Sequence, residues 1–181
     1  MKRIHIVGCG PRSGTTLLTE LMCTCFEIDQ FTEHEDSIYK LPPKKSDIYL
    51  TKNPSDILRV GSVLKVMSDL HVIYMVRDPR DMVVSRHNSN PSRYWSGLRF
   101  WKTYTPWGRA LENHPRFMTI CYEDLVTKPD QVQADLIKRY RSFLKKEEHR
   151  IRLAHKSGAS GTDVCTQRST LLDVVLHNLF A

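Results

Sequence analysis

The chain has 181 residues, of which 40% are hydrophobic and 26% are charged, and its formal net charge is +7. These values are ordinary for a soluble globular protein with one substantial core. No apolar run reaches the length of a membrane-spanning helix, and the first predicted strand begins at residue 2, so we expect neither a membrane span nor a signal peptide. The positive charge fits either a nucleic-acid surface or a cleft for a ligand with several negative charges.

The predicted elements alternate between strands and helices. Apolar, β-branched runs indicate strands, and capped or amphipathic runs indicate helices. In chain order we predict a strand over 2–8, a helix over 15–25, a loop over 29–46, a strand over 48–51, a helix over 55–68, a strand over 71–76, helices over 79–88, 94–104 and 105–113, a strand over 117–121, an amphipathic helix with the apolar stripe Val132, Leu136, Tyr140, Phe143 and Leu144, a loop over 157–161 and a helix over 163–179. This order predicts a single α/β domain over 1–181, with a central parallel sheet flanked by helices and ligands at the carboxyl ends of its strands.

A glycine-rich segment joins the first predicted strand to the first helix, and it reads Gly-Cys-Gly-Pro-Arg-Ser-Gly-Thr-Thr over 8–16. Loop amides and a helix N-terminus in this arrangement point at a bound phosphate. The Walker A pattern places Lys directly after its last Gly. Here Thr15 follows Gly14, and the cation, Arg12, comes two residues earlier. The segment therefore predicts an anionic nucleotide held in another way.

A second candidate phosphate site follows the strand over 71–76. Arg77 ends that strand, Asp78 is a plausible N-cap, and Pro79 fits the first turn of a helix. Ser85 would then lie about two turns into the helix. Arg77, by a forked charge-assisted contact, and Ser85, by its hydroxyl, could reach one phosphate.

Four motifs, in chain order, resemble those of the sulfotransferases that use 3′-phosphoadenosine 5′-phosphosulfate (PAPS). Within that family, the motifs most similar to those of this chain belong to the tyrosylprotein and heparan branches, although this chain is compact. The matching segments are Pro11-Arg12-Ser13-Gly14-Thr15-Thr16, Lys52-Asn53-Pro54, Arg77 to Ser85, and Ile120-Cys121-Tyr122-Glu123-Asp124-Leu125-Val126. The resemblance implies a P-loop-like fold and transfer of a sulfuryl group from PAPS to a hydroxyl or amine acceptor, without a metal.

The resemblance also implies a role for each matching residue. Arg12 and Lys52 would contact the sulfonate and the departing bridge oxygen. The 5′-phosphate would be held by the residues of the phosphate loop, Ser13, Gly14, Thr15 and Thr16. Arg77 and Ser85 would hold the 3′-phosphate, and Tyr122 is either a further nucleotide contact or a buried core tyrosine.

The acceptor hydroxyl needs a general base. The cytosolic sulfotransferases use a His after the second strand, but residues 51–54 contain none. Glu33 falls, by ungapped counting from Arg12, on the position of the catalytic Glu of the tyrosylprotein branch. We expect Glu33 to be the base, with Glu35 and then His34 as the alternatives.

Two other functions remain open from the sequence. One is a P-loop kinase of a small molecule, which the absence of Lys after Gly14 disfavours. The other is a non-catalytic nucleotide- or RNA-binding module, which only the net charge supports; we expect no nucleic-acid partner. The sequence does not identify the chemical class of the acceptor.

The cysteines bear on the compartment. They are odd in number and lack the spacing of zinc ligands: Cys9, Cys23, Cys25, Cys121 and Cys165. Most lie in apolar strand or helix contexts, so we expect reduced core thiols and a cytoplasmic location.

Overall fold

A central parallel sheet with helices on both faces forms the described part of the protein, as predicted, and it has five strands rather than the four expected. The structure, a computed structural model, describes residues 1–42, 44–87 and 90–144. In chain order its elements are β1 (Lys2–Gly8), α1 (Thr15–Cys25), β2 (Gln30–Phe31), β3 (Ile48–Lys52), a 3-10 turn (Pro54–Asp56), α2 (Ile57–Val66), β4 (Leu70–Val76), α3 (Pro79–Val84), β5 (Arg86–His87), β6 (Asn90–Tyr94), α4 (Leu98–Arg109), β7 (Phe117–Cys121), α5 (Tyr122–Thr127) and α6 (Pro129–Tyr140). The strand order is β2-β3-β1-β4-β7, with every neighbouring pair parallel, while β5 and β6 form a separate antiparallel pair.

The central strands are buried on both faces because their side chains alternate between two cores. One core lies between the sheet and helices α1, α5 and α6, and contains Ile4, Ile6, Leu18, Met22, Ile73, Met75, Leu125 and Leu136. The other lies between the sheet and helices α2, α3 and α4, and contains Val60, Val63, Leu64, Val72, Tyr74, Met82 and Tyr104. The resulting three layers leave the carboxyl ends of the strands open along one edge of the sheet.

The helix predicted over 79–88 is shorter than expected. It begins as predicted, with the Asp78 side chain accepting from the Arg80 amide, but it ends at Val84. Ser85 has extended backbone and lies at the end of α3, so its predicted place two turns into a helix was wrong. The next residue, Arg86, pairs with Tyr94 in the antiparallel β5–β6 pair. This pairing requires extended backbone directly after Ser85. The β-branched residues Val83 and Val84 have a slightly lowered helix propensity, so they oppose the end of the helix little.

The region over 94–113 also differs from the prediction. Two helices were expected, the second beginning at Thr105 and Pro106, but one helix, α4, runs from Leu98 to Arg109 through Pro106. A proline inside a helix removes one hydrogen bond. Packing outweighs that loss here: a Cβ on Gly108 would lie 2.2 Å from Tyr74 Cε1, so the helix backbone is seated directly on β4.

Several smaller features of the fold also bear on the predictions from the sequence. The predicted loop over 29–46 contains β2, which pairs with β3, and the short helix α5 was not predicted. The apolar stripe predicted around Val132 is core, although α6 ends at Tyr140, before Phe143 and Leu144. The predicted loop over 157–161 and helix over 163–179 lie outside the described residues. Within the described ranges, no helix has the length and apolar composition that crossing a membrane requires.

An aromatic cluster packs around His71 at the amino end of β4. The His71 ring lies 5.4 Å from the ring of Tyr140 and 4.7 Å from that of Phe143, measured between centroids. Burial, with a smaller effect of the charges of Lys2 and Arg116, lowers the pKa of His71 to about 4.

Acid should therefore destabilise the fold partly through His71. In the unfolded chain a histidine has a pKa of about 6.5 and binds the proton more tightly than folded His71. The free energy of unfolding should consequently fall as the pH drops from about 6.5 toward 4. We expect His71→Phe, which keeps the ring packing and removes the titration, to reduce this dependence in urea unfolding measured at pH 7 and pH 5.

The same experiment has an internal control. His34 is exposed, so His34→Gln serves as the control for the loss of a surface histidine. Part of the slope should survive in His71→Phe, because burial also lowers the pKa values of His5 and His114. Identical slopes for the wild type and His71→Phe would contradict the assignment.

Candidate functional site

The phosphate loop runs from the end of β1 to the start of α1. Gly14 is the N-cap of α1, with a left-handed φ of 93°, and no side chain caps the helix there. The first amides of α1 are therefore open toward a ligand, and the helix dipole favours a negative charge at that point. Arg12 also has a left-handed backbone, with φ of 66°.

Tyr122 closes one side of this loop. A Cβ on Gly14 would lie 2.3 Å from Tyr122 Cδ2, so the tyrosine ring rests on the glycine backbone. The guanidinium carbon of Arg77 lies 4.0 Å from the centroid of the same ring. Tyr122 also packs against the core as a partly buried residue. Tyr122 is therefore partly a core residue and also borders the loop, and its contact with a nucleotide stays a prediction.

Arg12 connects the phosphate loop to the end of α3. Its Nε donates to Ser85 Oγ at 3.0 Å, and its carbonyl accepts from Arg77 Nη1 at 3.0 Å. With the shortened helix α3, Ser85 and Arg77 thus both contact Arg12. The sequence did not predict the contact between Ser85 and Arg12.

Lys52 approaches the loop from the opposite side. It is the last residue of β3, it is 5% exposed, and its Nζ donates to Thr16 Oγ1 at 2.8 Å. Burial lowers the pKa of Lys52, and the carboxylates of Glu20 and Glu35 partly offset this effect. Burial and the neighbouring charge of Arg77 also lower the pKa of Arg12.

Three cations thus surround one loop. Across the described parts of the chain, none of Arg12, Lys52 and Arg77 forms an ion pair with a carboxylate; their contacts are a hydroxyl, a backbone carbonyl and an aromatic ring. Nε of Arg77 is buried and finds no hydrogen-bond partner among the described residues. Cations that form no ion pair, beside an open helix N-terminus, favour the binding of a ligand with several negative charges.

Residues 32–38, which we call the acidic segment, lie beside Lys52. Glu33, His34 and Glu35 are all exposed. The charge of Glu35 acts on two nearby groups, because it raises the pKa of Lys52 against the effect of burial and adds to the raised pKa of Tyr104. Among the contacts of the described residues, none joins Glu33 to the loop or to Lys52.

A line of buried polar side chains beneath the acidic segment was missed from the sequence. His5 Nδ1 and Thr51 Oγ1 are 2.7 Å apart, and His5 Nε2 lies 3.3 Å from Asp56 Oδ2. All three residues are 0–1% exposed. The available signal was the alternation of polar and apolar residues in β1, where Arg3 and His5 alternate with Ile4 and Ile6, which face the other core.

Glu123 is a second residue that the sequence did not single out. Its Oε1 accepts from the Asp78 amide at 2.9 Å, which ties the start of α5 to the start of α3. This contact fixes Tyr122 and Arg77, the neighbours of Glu123 and Asp78 in the chain, relative to each other.

Comparisons with known proteins agree with this geometry. The sequence profile of the Sulfotransferase family matches residues 31–141. The match covers well over half of the chain, so the protein belongs to the sulfotransferase family. The matched range contains Lys52, Arg77, Ser85 and Tyr122 and begins after the phosphate loop. No curated protein sequence matches the chain.

Solved structures show a similar fold. The structure of mouse sulfotransferase SULT7A1 complexed with PAP has a TM-score of 0.53 and 16% sequence identity, covering 90% of this chain and 66% of that chain. Retinol dehydratase in complex with androsterone and the inactive cofactor PAP has a TM-score of 0.47 and 14% identity, covering 77% of this chain and 60% of that chain. The chain therefore spans less than two thirds of the length of these structures.

Substitution of Gly14 tests the packing of the phosphate loop. Gly14→Ala would place a methyl group inside the Tyr122 ring and strain a left-handed backbone, at a cost of about 1–3 kcal/mol for the strain alone. We expect a lower free energy of unfolding in urea, partly recovered in Gly14→Ala/Tyr122→Ala relative to the sum of the single variants. Gly97→Ala is the control, because a Cβ on Gly97 would meet no atom closer than 4.0 Å. Equal stabilities of the two alanine variants would contradict the packing.

Proposed function

We propose that this chain is an enzyme that transfers a sulfuryl group from PAPS to a hydroxyl or amine acceptor. The observation that carries the proposal is the group of three cations around the open N-terminus of α1, none of which forms an ion pair among the described residues. Membership of the sulfotransferase family supports it, and so does PAP in the complex with the mouse enzyme of similar fold.

The donor would lie along the carboxyl ends of β1, β3 and β4. The amides of residues 13–16 and the hydroxyls of Thr15 and Thr16 would hold the 5′-phosphate. Ser13 would contribute through its backbone, because its side chain is buried against Gly8, where a Cβ would lie 2.0 Å from Ser13 Oγ. Arg77, Ser85 and Tyr122 would hold the 3′-phosphate side of the nucleotide.

Arg12 and Lys52 would face the group that moves. In the transfer, the acceptor oxygen forms a bond to sulfur, the bond from sulfur to the bridge oxygen breaks, and adenosine 3′,5′-bisphosphate leaves with the electron pair. Negative charge then grows on the bridge oxygen, so fixed cations stabilise the transition state more than the bound donor. We propose that this charge stabilisation needs no metal.

The proton of the acceptor would pass to a carboxylate of the acidic segment. The family resemblance favours Glu33 for this role. The electrostatic effect of Glu35 on Lys52 favours Glu35, since a base must lie near the cation that faces the transferred group. Both carboxylates therefore enter the test below.

A reducing, cytoplasmic environment suits the cysteines of the described residues. Cys9, Cys23 and Cys121 carry free thiols, and burial raises the pKa of Cys9 and of Cys23 to about 11. Thiols with raised pKa values are unreactive and need no oxidising compartment. We propose a cytoplasmic location, which fractionation of the native host would test.

Nucleotide affinities test the donor site. Because Arg77 and Ser85 would recognise the 3′-phosphate, adenosine 3′,5′-bisphosphate should bind more tightly than 5′-AMP by about 2–4 kcal/mol in calorimetry. Arg77→Ala should remove most of the difference. The control is Arg80→Ala, since Arg80 is 88% exposed and already paired with Asp78. Equal affinities of the wild type for the two nucleotides would contradict the proposed donor.

Two isosteric variants test the base. Glu33→Gln and Glu35→Gln keep side-chain size and remove basicity, so the variant of the true base should lower turnover of labelled PAPS by about 10²- to 10⁴-fold. The affinity for adenosine 3′,5′-bisphosphate should stay within about twofold in both, because neither carboxylate would contact the nucleotide.

The acceptor for this assay is the best substrate in a screen of hydroxyl compounds with labelled PAPS. The other glutamine variant serves as the matched control, and a chelator is included in one arm. Near-normal turnover in both variants would refute Glu33 and Glu35 as the base and direct attention to His34. Strict dependence on Mg²⁺ would instead support a phosphotransferase.

A further inference from the structure

The acidic segment is fixed to β3 by two backbone hydrogen bonds. The Thr32 amide donates to the Leu50 carbonyl at 3.1 Å, and the Asp36 amide donates to the Lys52 carbonyl at 2.9 Å. Between these points only Glu33, His34 and Glu35 leave the strand. The exposed acidic residues therefore lie in a short loop beside Lys52.

A buried carboxylate fixes the end of the segment. The Ile38 amide donates to Asp56 Oδ2 at 2.6 Å, and the Ile38 side chain is fully buried. One residue earlier, the Ser37 carbonyl accepts from Arg3 Nη2 at 3.1 Å. The chain thus enters the core directly after the acidic residues, at a point set by Asp56.

The Asp56 carboxylate contacts two side chains in addition to the Ile38 amide. Its Oδ1 accepts from Arg59 Nη1 at 2.7 Å, and its Oδ2 lies 3.3 Å from His5 Nε2. Burial would raise the pKa of Asp56, but the contacts with His5, the Ile38 amide and Arg59 outweigh burial and lower it. The residue is 1% exposed and reaches no solvent-facing surface of the site.

We propose that Asp56 is a positioning residue, which holds the acidic segment against β3 so that a carboxylate of the segment faces the group bound at Lys52. This inference rests on the proposed function, because it assigns Asp56 to the proton-transfer half of that reaction. Asp56 touches neither donor nor acceptor and acts through the Ile38 amide.

The position of Asp56 separates two effects. The donor loop is held by Arg12, Arg77 and Tyr122, which have no contact with Asp56 in the described residues. Loss of the Asp56 carboxylate should therefore leave nucleotide binding intact and impair only the step that needs the base. A small displacement of a catalytic group is enough to cost about a hundredfold in rate.

Two acceptors of different acidity make this distinction measurable. Phenol loses its proton reluctantly and needs a base, whereas 4-nitrophenol is far more acidic and needs little help. The variants are Asp56→Ala and Asp56→Asn, the second of which keeps an oxygen for the Ile38 amide. Val63→Ala is the control for a general loss of stability, because Val63 lies in α2, the helix that follows Asp56, and in the core that contains Ile38.

We expect Asp56→Ala to lower kcat with phenol about 10- to 100-fold, and much less with 4-nitrophenol. Its affinity for adenosine 3′,5′-bisphosphate should stay within about twofold of the wild type. Amide hydrogen exchange at 36–38 should accelerate at least about tenfold more than in Val63→Ala. Asp56→Asn should recover part of both losses.

Equal losses with the two phenols, or exchange at 36–38 that matches Val63→Ala, would overturn the proposal. If the wild type uses neither phenol, the exchange measurement decides by itself whether Asp56 holds the segment. A wild type that binds no adenosine 3′,5′-bisphosphate would contradict only the proposed function. Hydrogen exchange of the Ile38 amide would still test whether Asp56 holds the acidic segment.

Discussion

Positive charge that no ion pair neutralises within the described residues, held at the carboxyl edge of the sheet, is the constraint on which the site depends. Burying a cation is costly unless an anion or a hydrogen-bond acceptor compensates it. The topology creates this situation, because β1 lies between β3 and β4 in the sheet. The chain passes to one side of β1 and then crosses to the other, so the loop after β1 opens into a crevice. Lys52 ends the strand on one side of it, and Arg77 follows the strand on the other.

Local sequence signals were sufficient for this half of the site. Buried parallel strands are continuous apolar runs, so β1, β4 and β7 could be located within a residue. The bounds predicted for α1 are those observed, because Gly14 supplies the left-handed turn that begins the helix. Residues at the ends of parallel strands meet at one edge. Lys52 and Arg77 could therefore be placed near the loop from their positions in the sequence alone.

The errors arose where distant contacts decide the local structure. Helix α3 ends before Ser85 because Arg86 pairs with Tyr94, and α4 continues through Pro106 because Gly108 packs on Tyr74. Neither contact can be read from a window of neighbouring residues. Propensity is a weak guide at such positions, since packing energies exceed it. Ser85 nevertheless reaches the phosphate loop, where its hydroxyl accepts a hydrogen bond from Arg12 Nε.

The buried line from Thr51 through His5 to Asp56 resembles, in its order of groups, the hydroxyl, imidazole and carboxylate of a nucleophilic triad. Its burial argues against that role, since all three residues are 0–1% exposed and no substrate could reach the hydroxyl. Burial also lowers the pKa of His5, which favours the neutral ring. A neutral imidazole can accept from Thr51 while its other nitrogen faces Asp56, and so it links β1 to β3 and to the turn before α2. The same atoms that fix these strands thus fix the carboxylate that receives the Ile38 amide. This support of the acidic segment does not include the loop that would hold the nucleotide, which packs against Tyr122 and is contacted by Arg77 instead.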